Sequence, residues 1–360
     1  MIRLSAALRI FLSLFICFLI VYGFIISEPS KLLGKTACLS LMATYPKGFS
    51  NQKTSDNSLY EELFMGDVFL GDDESDLETF TSSETYATPV SLSIKETIMG
   101  SIIKKTMSPY GANTKYGNVY LSNSANADIN IKSLLNEKLD YSISKNGEPQ
   151  VLIYHTHGTE AFMDNEEQYY TEFDEPRTTD TEKNIVKLGE IIKEKLESKG
   201  IAVIHSKTMH DHPGFSGSYS RSADTIKSIL KDYPSIKVII DVHRDTITGG
   251  KSDKVAPVVN IDGKEAAQVM LVMGSQTGSI TNYPDWKENL KLAVKLQNQF
   301  ETDYPMFARS MLLRSKIYNQ NLSKGAFLIE IGSDANTFQQ AKYSAELVGD
   351  TISKVLEKEG

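Results

Sequence analysis

The feature that most constrains the fold is a regular alternation of short apolar segments and amphipathic segments between about residues 148 and 357. Apolar runs of strand length that are separated by helices of this length are typical of βαβ units. We therefore predict an α/β fold with a mainly parallel, twisted sheet flanked by helices. The predicted strands cover residues 151–154, 201–205, 236–242, 267–273 and 326–331, and the predicted helices cover residues 181–199, 220–233, 286–304 and 335–357. Residues 255–261, followed by Asp262-Gly263, predict one arm of a hairpin.

Three side chains that can bind a metal follow the first predicted strand, Val151 to Tyr154. They are His155, His157 and Glu160. Ligands of open α/β sheets bind at the carboxyl ends of the strands, so this position favours chemistry over a place in the core. His243 follows the strand at 236–242 in the same way. The sequence therefore predicts two histidines at one edge of the sheet.

A hydrolytic zinc site uses three protein ligands and leaves a fourth position to water, so a third ligand is needed. Glu182 is a candidate because it opens the helix after the first strand, although an acid at a helix start is also ordinary. Glu330 lies in the apolar run Phe-Leu-Ile-Glu-Ile-Gly, where an unpaired carboxylate is costly. It is either a general base for water or one half of a salt bridge to Arg244 or Arg314.

Composition narrows the function classes. A formal net charge of -8 argues against a general nucleic-acid binder, which would carry a basic surface. The sequence has no Gly-x-Ser-x-Gly elbow and no Walker phosphate loop, which argues against serine hydrolases and nucleotide hydrolases. The only two cysteines, Cys17 and Cys38, lie near the amino terminus, which is compatible with an extracytoplasmic domain.

The amino-terminal part predicts attachment to a membrane. An apolar run from Ile10 to Ile26 follows Arg3 and Arg9, as in a short spanning helix with its amino terminus in the cytoplasm. A cleaved signal peptide is the alternative. We predict a single-pass anchor over residues 1–30 and a partly flexible linker with local helices, at 60–70 and 92–107, over residues 31–117. A catalytic domain over residues 118–360 would then lie outside the cell membrane.

The loop before the helix at 220–233 contains Gly, Pro and Ser beside His205, His210 and His212. This composition predicts a mobile rim rather than a second metal site. Tyr219 and Arg221 follow this loop, where they are candidates for contact with substrate.

Three segments carry a resemblance to a known family: Ile-Tyr-His-Thr-His-Gly-Thr-Glu, Asp-Val-His-Arg-Asp and Leu-Ile-Glu-Ile-Gly. They resemble the zinc-dependent N-acetylmuramoyl-L-alanine amidases and, within them, the stage II sporulation protein P family of spore-forming bacteria. The resemblance implies a zinc-exopeptidase or amidase-like fold, with Zn²⁺ held by His157, Glu182 and His243. It implies Glu330 as the catalytic acid or base.

Two parts of this assignment stay open. His155 is predicted to orient the site or face substrate, as is Arg244. Glu160 is either such a residue or a ligand, because His157-x-x-Glu160 also resembles the His-x-x-Glu ligand pair of zinc carboxypeptidases.

The resemblance also implies a substrate and a cellular place. The substrate is the amide between N-acetylmuramic acid and L-alanine in peptidoglycan, with a second cleavage within stem peptides. The place is the sporulation septum during engulfment, with stage II sporulation proteins D and M as partners. The alternatives are a zinc carboxypeptidase-type enzyme and a non-catalytic module that binds cell wall or protein.

Overall fold

The computed structural model describes residues 96–250 and 252–359. Within these ranges the chain forms strands, five α-helices, and short 3₁₀ helices at Pro109–Gly111 and Gln320–Leu322. The strands are β1 (Ile98–Lys105), β2 (Thr114–Tyr116), β3 (Val119–Asn123), β4 (Val151–Tyr154), β5 (Tyr169–Thr171), β6 (Val203–His205), β7 (Val238–Asp245), β8 (Lys254–Ile261), β9 (Lys264–Ala267), β10 (Val269–Gly274), β11 (Met311–Arg314) and β12 (Gly325–Ser333). The helices are α1 (Ile131–Asn136), α2 (Ile185–Ser198), α3 (Ser218–Asp232), α4 (Trp286–Asp303) and α5 (Phe338–Glu359).

The main sheet has eight strands in the order β2-β3-β11-β10-β12-β7-β4-β6. Five neighbouring pairs are parallel: β6 with β4, β4 with β7, β7 with β12, β10 with β11, and β11 with β3. The pairs of β10 with β12 and of β2 with β3 are antiparallel. The prediction of a mainly parallel sheet flanked by helices is therefore confirmed, and β4, β7 and β12 end at the same edge.

The two faces of this sheet are covered by different helices. Along β4, Val151 and Ile153 pack into the large core that includes α2, α4 and α5. Leu152 and Tyr154 pack into a smaller core with Ile226 of α3. Because side chains of a strand alternate between its faces, each strand residue near the site can be assigned to the α2 face or the α3 face.

Helix α2 begins later than the sequence predicts. Asn184 caps it, since its side chain accepts a hydrogen bond from the Val186 backbone N–H, and residues 181–183 therefore lie outside the helix. Gly200 follows the helix end with a φ of 80°, as predicted for a C-terminal glycine.

A smaller sheet has the order β5-β1-β8-β9. Its β8–β9 hairpin confirms the predicted Asp-Gly turn, with φ of 51° at Asp262 and 79° at Gly263. The helix predicted at 92–107 is wrong where it is described, because Ile98–Lys105 is strand β1 and pairs with β5 and β8. Strands β1 and β2 thus lie before residue 118, where the catalytic domain was predicted to begin.

The predicted anchor at 1–30 and most of the predicted linker lie outside the described residues. Across residues 96–250 and 252–359, none of the helices is long and apolar enough to cross a membrane.

Candidate active site

Four of the predicted site residues come together at the carboxyl edge of the main sheet. His243 on β7 and Glu330 on β12 are register partners in the parallel ladder. Both residues alternate with core residues of the α2 face, so both side chains lie on the α3 face. The ring of His157 lies 5.3 Å from that of His243, centre to centre, at 81°.

Glu160 joins this cluster through His243. Its Oε2 atom lies 3.5 Å from His243 Nδ1 and accepts a 2.9 Å hydrogen bond from the Arg244 backbone N–H. Burial alone would raise the pKa of Glu160, but His243 and Arg244 lower it to about 2. The carboxylate is therefore ionised at neutral pH and is available as a ligand.

Asp241 lies on the other side of His243, and sequence reasoning missed it. Its Oδ1 atom is 2.9 Å from His243 Nε2, although Nε2 is not directed for a hydrogen bond. The same carboxylate accepts hydrogen bonds from the backbone N–H and the hydroxyl of Thr156. Burial opposes protonation of His243, but Asp241 and Glu160 raise the pKa of His243 well above its ordinary value. The position of Asp241, two residues before His243 on the same strand face, was the available signal.

Glu330 is buried, and its Oε2 atom has no hydrogen-bond partner within the part of the chain that the structure describes. Burial raises the pKa of Glu330 to about 8, and the charge of His243 acts in the opposite direction. The predicted salt bridge to Arg244 does not form, because the Arg244 guanidinium donates to the carbonyl oxygens of Ala161 and Pro176. Arg244 is therefore held within the fold and does not face substrate.

His157 is enclosed by aromatic rings. Phe215 stacks on it at 4.4 Å and 5°, and Tyr219 meets it edge-on at 5.8 Å and 90°. The His157 Nδ1 atom is buried and has no hydrogen-bond partner in the described ranges. Burial lowers the pKa of His157 to about 4, so the ring is neutral at pH 7 and can offer a lone pair.

His155 lies away from the cluster, on the α2 face. Its Nδ1 atom donates to the Val242 carbonyl oxygen at 2.9 Å, and its Nε2 atom is 2.9 Å from His205 Nε2. His205 Nδ1 in turn lies 3.0 Å from Glu190 Oε2 on α2. His155 therefore joins β4, β6, β7 and α2, and this contact does not face the site.

The structure does not bring Glu182 to the histidines. Its side chain is 70% exposed, and its Oε2 atom is paired with Lys187 Nζ at 2.7 Å. The reason is local, because the Asn184 cap leaves Glu182 in the turn before α2. Glu160, from the same strand end as His157, occupies the place that the sequence predicted for Glu182.

The loop over residues 206–217, which the sequence predicted to be a mobile rim, is held by hydrogen bonds to the rest of the fold. Arg221 donates to the carbonyl oxygens of His210, Gly214 and Ser216. His210 is buried, with Nδ1 donating to the His155 carbonyl oxygen at 2.7 Å. Arg221 thus fixes the loop and is not directed at substrate.

An ion pair holds the same loop against the segment after β4. Arg177 lies 2.7 Å from the buried Asp211 carboxylate, and its guanidinium carbon is 4.8 Å from the Phe215 ring centre. Asp211 also accepts from the hydroxyl of Thr159. Phe215 is therefore held between Arg177 and His157, a contact that strand periodicity did not reveal.

The donors fit a zinc ion in kind, and one pair of them also fits in spacing. Two imidazoles and a carboxylate are common zinc ligands, and ligand atoms about 2.1 Å from a tetrahedral zinc lie about 3.4 Å apart. The 3.5 Å between His243 Nδ1 and Glu160 Oε2 matches that spacing. In residues 96–250 and 252–359, however, no three His, Cys, Asp or Glu side chains already form a metal-binding group.

Sequence comparison adds the family. A sequence model described as Stage II sporulation protein P (SpoIIP) matches residues 79–353. The chain belongs to the stage II sporulation protein P family. A member of this family from Bacillus subtilis (strain 168), named Stage II sporulation protein P, is 29% identical over 216 residues. The alignment covers 57% of this chain and 50% of that relative, so it spans about half of the relative's length.

Two solved structures show a more distant likeness. The CwlD amidase of Clostridioides difficile, solved in complex with the GerS lipoprotein, has a TM-score of 0.38 and 14% identity, covering 58% of this chain and 98% of that one. The N-acetylmuramyl-L-alanine amidase Ami1 of Mycobacterium smegmatis has a TM-score of 0.35 and 12% identity, covering 59% and 99%. At these values no site residue can be transferred from either structure.

Proposed function

We propose that the chain is a zinc-dependent peptidoglycan hydrolase that cleaves the amide between N-acetylmuramic acid and L-alanine. The observation that carries this proposal is the meeting of His157, His243 and Glu160 beside the buried, unpaired carboxyl of Glu330. Membership of the stage II sporulation protein P family supports it.

His157, Glu160 and His243 would hold the ion. Glu160 replaces Glu182 in this set because its oxygen lies 3.5 Å from a His243 nitrogen, whereas Glu182 is exposed and paired with Lys187. Asp241 lies 2.9 Å from the opposite nitrogen of His243, the side from which a carboxylate would orient this ring once it binds the ion.

When bound, Zn²⁺ supplies polarisation of the scissile carbonyl and lowers the pKa of a water to about 7. Glu330 takes the proton from the attacking water and delivers it to the leaving nitrogen. A carboxyl with a raised pKa suits both steps, because it accepts and releases a proton near neutral pH. Phe215 and Tyr219 exclude water from one side of His157 and restrict its ring.

We place this activity at the sporulation septum during engulfment, with stage II sporulation proteins D and M as partners, on the strength of family membership. An amino-terminal membrane anchor, a catalytic domain outside the membrane and an added cleavage within stem peptides belong to the same proposal.

A second candidate is a zinc carboxypeptidase-type enzyme, which the contact between Glu160 and His243 favours. Such an enzyme needs a cation for the terminal carboxylate of its substrate. Arg244, whose backbone N–H donates to Glu160, has its guanidinium engaged with backbone carbonyls, and Arg177 is paired with Asp211. The amidase is therefore the preferred function. A non-catalytic module that binds cell wall or protein is the remaining alternative.

The variant Glu330→Gln tests the proposal because the amide keeps the size of the side chain but cannot accept the proton. We expect it to retain zinc and to lose at least about a hundredfold in the cleavage rate of purified sacculi. Zinc content by elemental analysis and release of soluble fragments are the measurements. Undiminished cleavage by Glu330→Gln would rule out Glu330 as the base.

A further inference from the structure

The phenolic hydroxyl of Tyr219 lies at the candidate site and is not used in hydrogen bonding within the described part of the fold. It is the second residue of α3, and its ring stands edge-on to His157. Among the described residues the hydroxyl makes no hydrogen bond, whereas the backbone carbonyl oxygen of Tyr219 accepts from Ser222 and Asn319. The side chain as a whole is only partly buried, and no other described residue engages its hydroxyl.

Two adjoining residues, Tyr318 and Asn319, fix the position of Tyr219. Asn319 adopts a φ of 55° and donates from Nδ2 to the Tyr219 carbonyl oxygen at 2.9 Å. The adjoining residue Tyr318, with a φ of 52°, places its ring 6.1 Å from that of Tyr219. Two consecutive non-glycine residues in the left-handed region are strained, and strain of this kind persists where the surroundings fix it.

The site has many acceptors and few free donors. Glu160, Asp241 and Glu330 act electrostatically on the Tyr219 phenol, and Glu160 and Asp241, as carboxylates, accept hydrogen bonds. The neighbouring donors are already used: the Thr156 hydroxyl donates to Asp241, and the Asn319 amide donates to Tyr219 and Ser222. A reaction that builds negative charge on an oxygen here needs a donor, and the Tyr219 hydroxyl is available.

We propose that Tyr219 is a catalytic residue that donates a hydrogen bond to the scissile carbonyl oxygen as the tetrahedral transition state forms. This inference rests on the proposed amide hydrolysis. An ordinary phenol keeps its proton at neutral pH, so it acts as a donor. Such a donor stabilises the oxygen more in the transition state than in the substrate, and its effect therefore falls on kcat.

The step balances without a further reactant. The water oxygen attacks the carbonyl carbon, the π electrons move to the carbonyl oxygen, and the Tyr219 proton stays on Tyr219. The electrons then return, the C–N bond breaks, and Glu330 transfers the proton it took from water to the leaving nitrogen. The products are the carboxylic acid of the muramic acid lactyl group, which keeps the second proton of the water, and the free amine of L-alanine; transfer of that proton to the amine gives the carboxylate and the ammonium group.

The test compares Tyr219→Phe with Tyr233→Phe in the full chain loaded with zinc. Tyr233 follows the other end of α3, about 21 Å away at 1.5 Å per residue, and is 41% exposed. On a soluble muramoyl-peptide we expect Tyr219→Phe to lower kcat about a hundredfold with KM within about twofold, as for loss of one oxyanion donor. Zinc content and the midpoint of thermal unfolding are expected to match the parent, and Tyr233→Phe is expected to match it throughout.

Binding of an uncleavable phosphinate analogue of the scissile amide gives a second measurement that does not require turnover. We expect Tyr219→Phe to weaken binding of the analogue about a hundredfold. Affinity for the intact amide, measured with Tyr219→Phe added to the inactive Glu330→Gln variant, should be unchanged. An active parent with equally active Tyr219→Phe would overturn the role of Tyr219 alone. A rise in KM without a fall in kcat would also overturn the role of Tyr219. A parent that does not cleave the muramoyl-peptide would overturn the proposed function, and this inference with it.

Discussion

Alternation along the strands decides which polar side chains meet. His243 and Glu330 point to the α3 face because Val242 and Ile329 beside them pack into the core of the α2 face. His155, with the parity of Val151 and Ile153, faces α2 and contacts His205. His157 has the same parity as His155 but lies beyond the end of β4, and it contacts His243 on the α3 face. Alternation therefore predicts the face of His155 but not the position of His157.

Zinc content distinguishes the two candidate glutamates. We expect Glu160→Ala to lose bound zinc, because the carboxylate lies 3.5 Å from His243 Nδ1. Glu182→Ala serves as the matched control, since it removes an exposed carboxylate that pairs with Lys187 and should leave zinc stoichiometry near one. Elemental analysis after dialysis makes the measurement. Zinc lost from Glu182→Ala and retained by Glu160→Ala would reverse the assignment.

Periodicity could not place Glu160 or Glu182, because both lie in irregular segments. Glu160 is positioned by the hydrogen bond that it accepts from the Arg244 backbone N–H. Glu182 is positioned by the Asn184 cap, which begins α2 after it. The same limit applies to Phe215, whose stacking on His157 depends on the path of a loop.

Among the elements, helix α2 approaches the sheet closely at Gly189. A Cβ atom there would lie 2.7 Å from the Nε2 atoms of both His155 and His205. The glycine thus makes room for the histidine pair that joins β4 and β6 to α2. This contact, and the apolar stripe of α2, place the end of β4 and so the start of the segment that carries His157.

We expect Gly189→Ala to destabilise the protein by about 1–2 kcal/mol, since overpacking outweighs the better helix propensity of alanine. The midpoint of thermal unfolding should fall by several degrees. Gly214→Ala is the control, because no atom lies within 4 Å of its added Cβ. Equal unfolding midpoints for the two variants would show that His155 and His205 can move aside without lowering the stability of the protein.

The longer helices and strands β4, β6, β7, β10 and β12 were predicted from the sequence, whereas several short or exposed strands were not. The helices at 220–233 and 286–304 were each predicted within about two residues of their observed ends, since long amphipathic periods are strong signals. Strands β1, β5 and β11 escaped prediction, because short or exposed strands owe their conformation to partners distant in the chain. The loop at 206–217 has the composition of a mobile rim but is fixed by Arg221.

The molecule as a whole brings its site together from three parallel strands, the segment after β4 and the first turn of α3. If the proposed zinc ion binds, such a site would couple folding to metal binding, because Glu160 and His243 come from segments far apart in the chain. Burial of the Glu160 and Asp241 carboxylates in one place also concentrates negative charge, which a divalent cation would offset.

Removing zinc is therefore expected to lower stability. At free zinc about a thousandfold above its dissociation constant, binding contributes about 4 kcal/mol, so a chelator should lower the unfolding midpoint by several degrees. Glu160→Ala should show the lower midpoint with or without the chelator. An identical midpoint for the parent protein before and after chelation would contradict a zinc ion at this site.

The identity of the new amino termini released from purified peptidoglycan is the most direct measurement of the proposed function. Labelling of free amines followed by mass spectrometry should show new L-alanine amino termini with the parent protein and none with Glu330→Gln. Products without any new L-alanine amino termini, or sacculi left unchanged by the zinc-loaded parent protein, would contradict it.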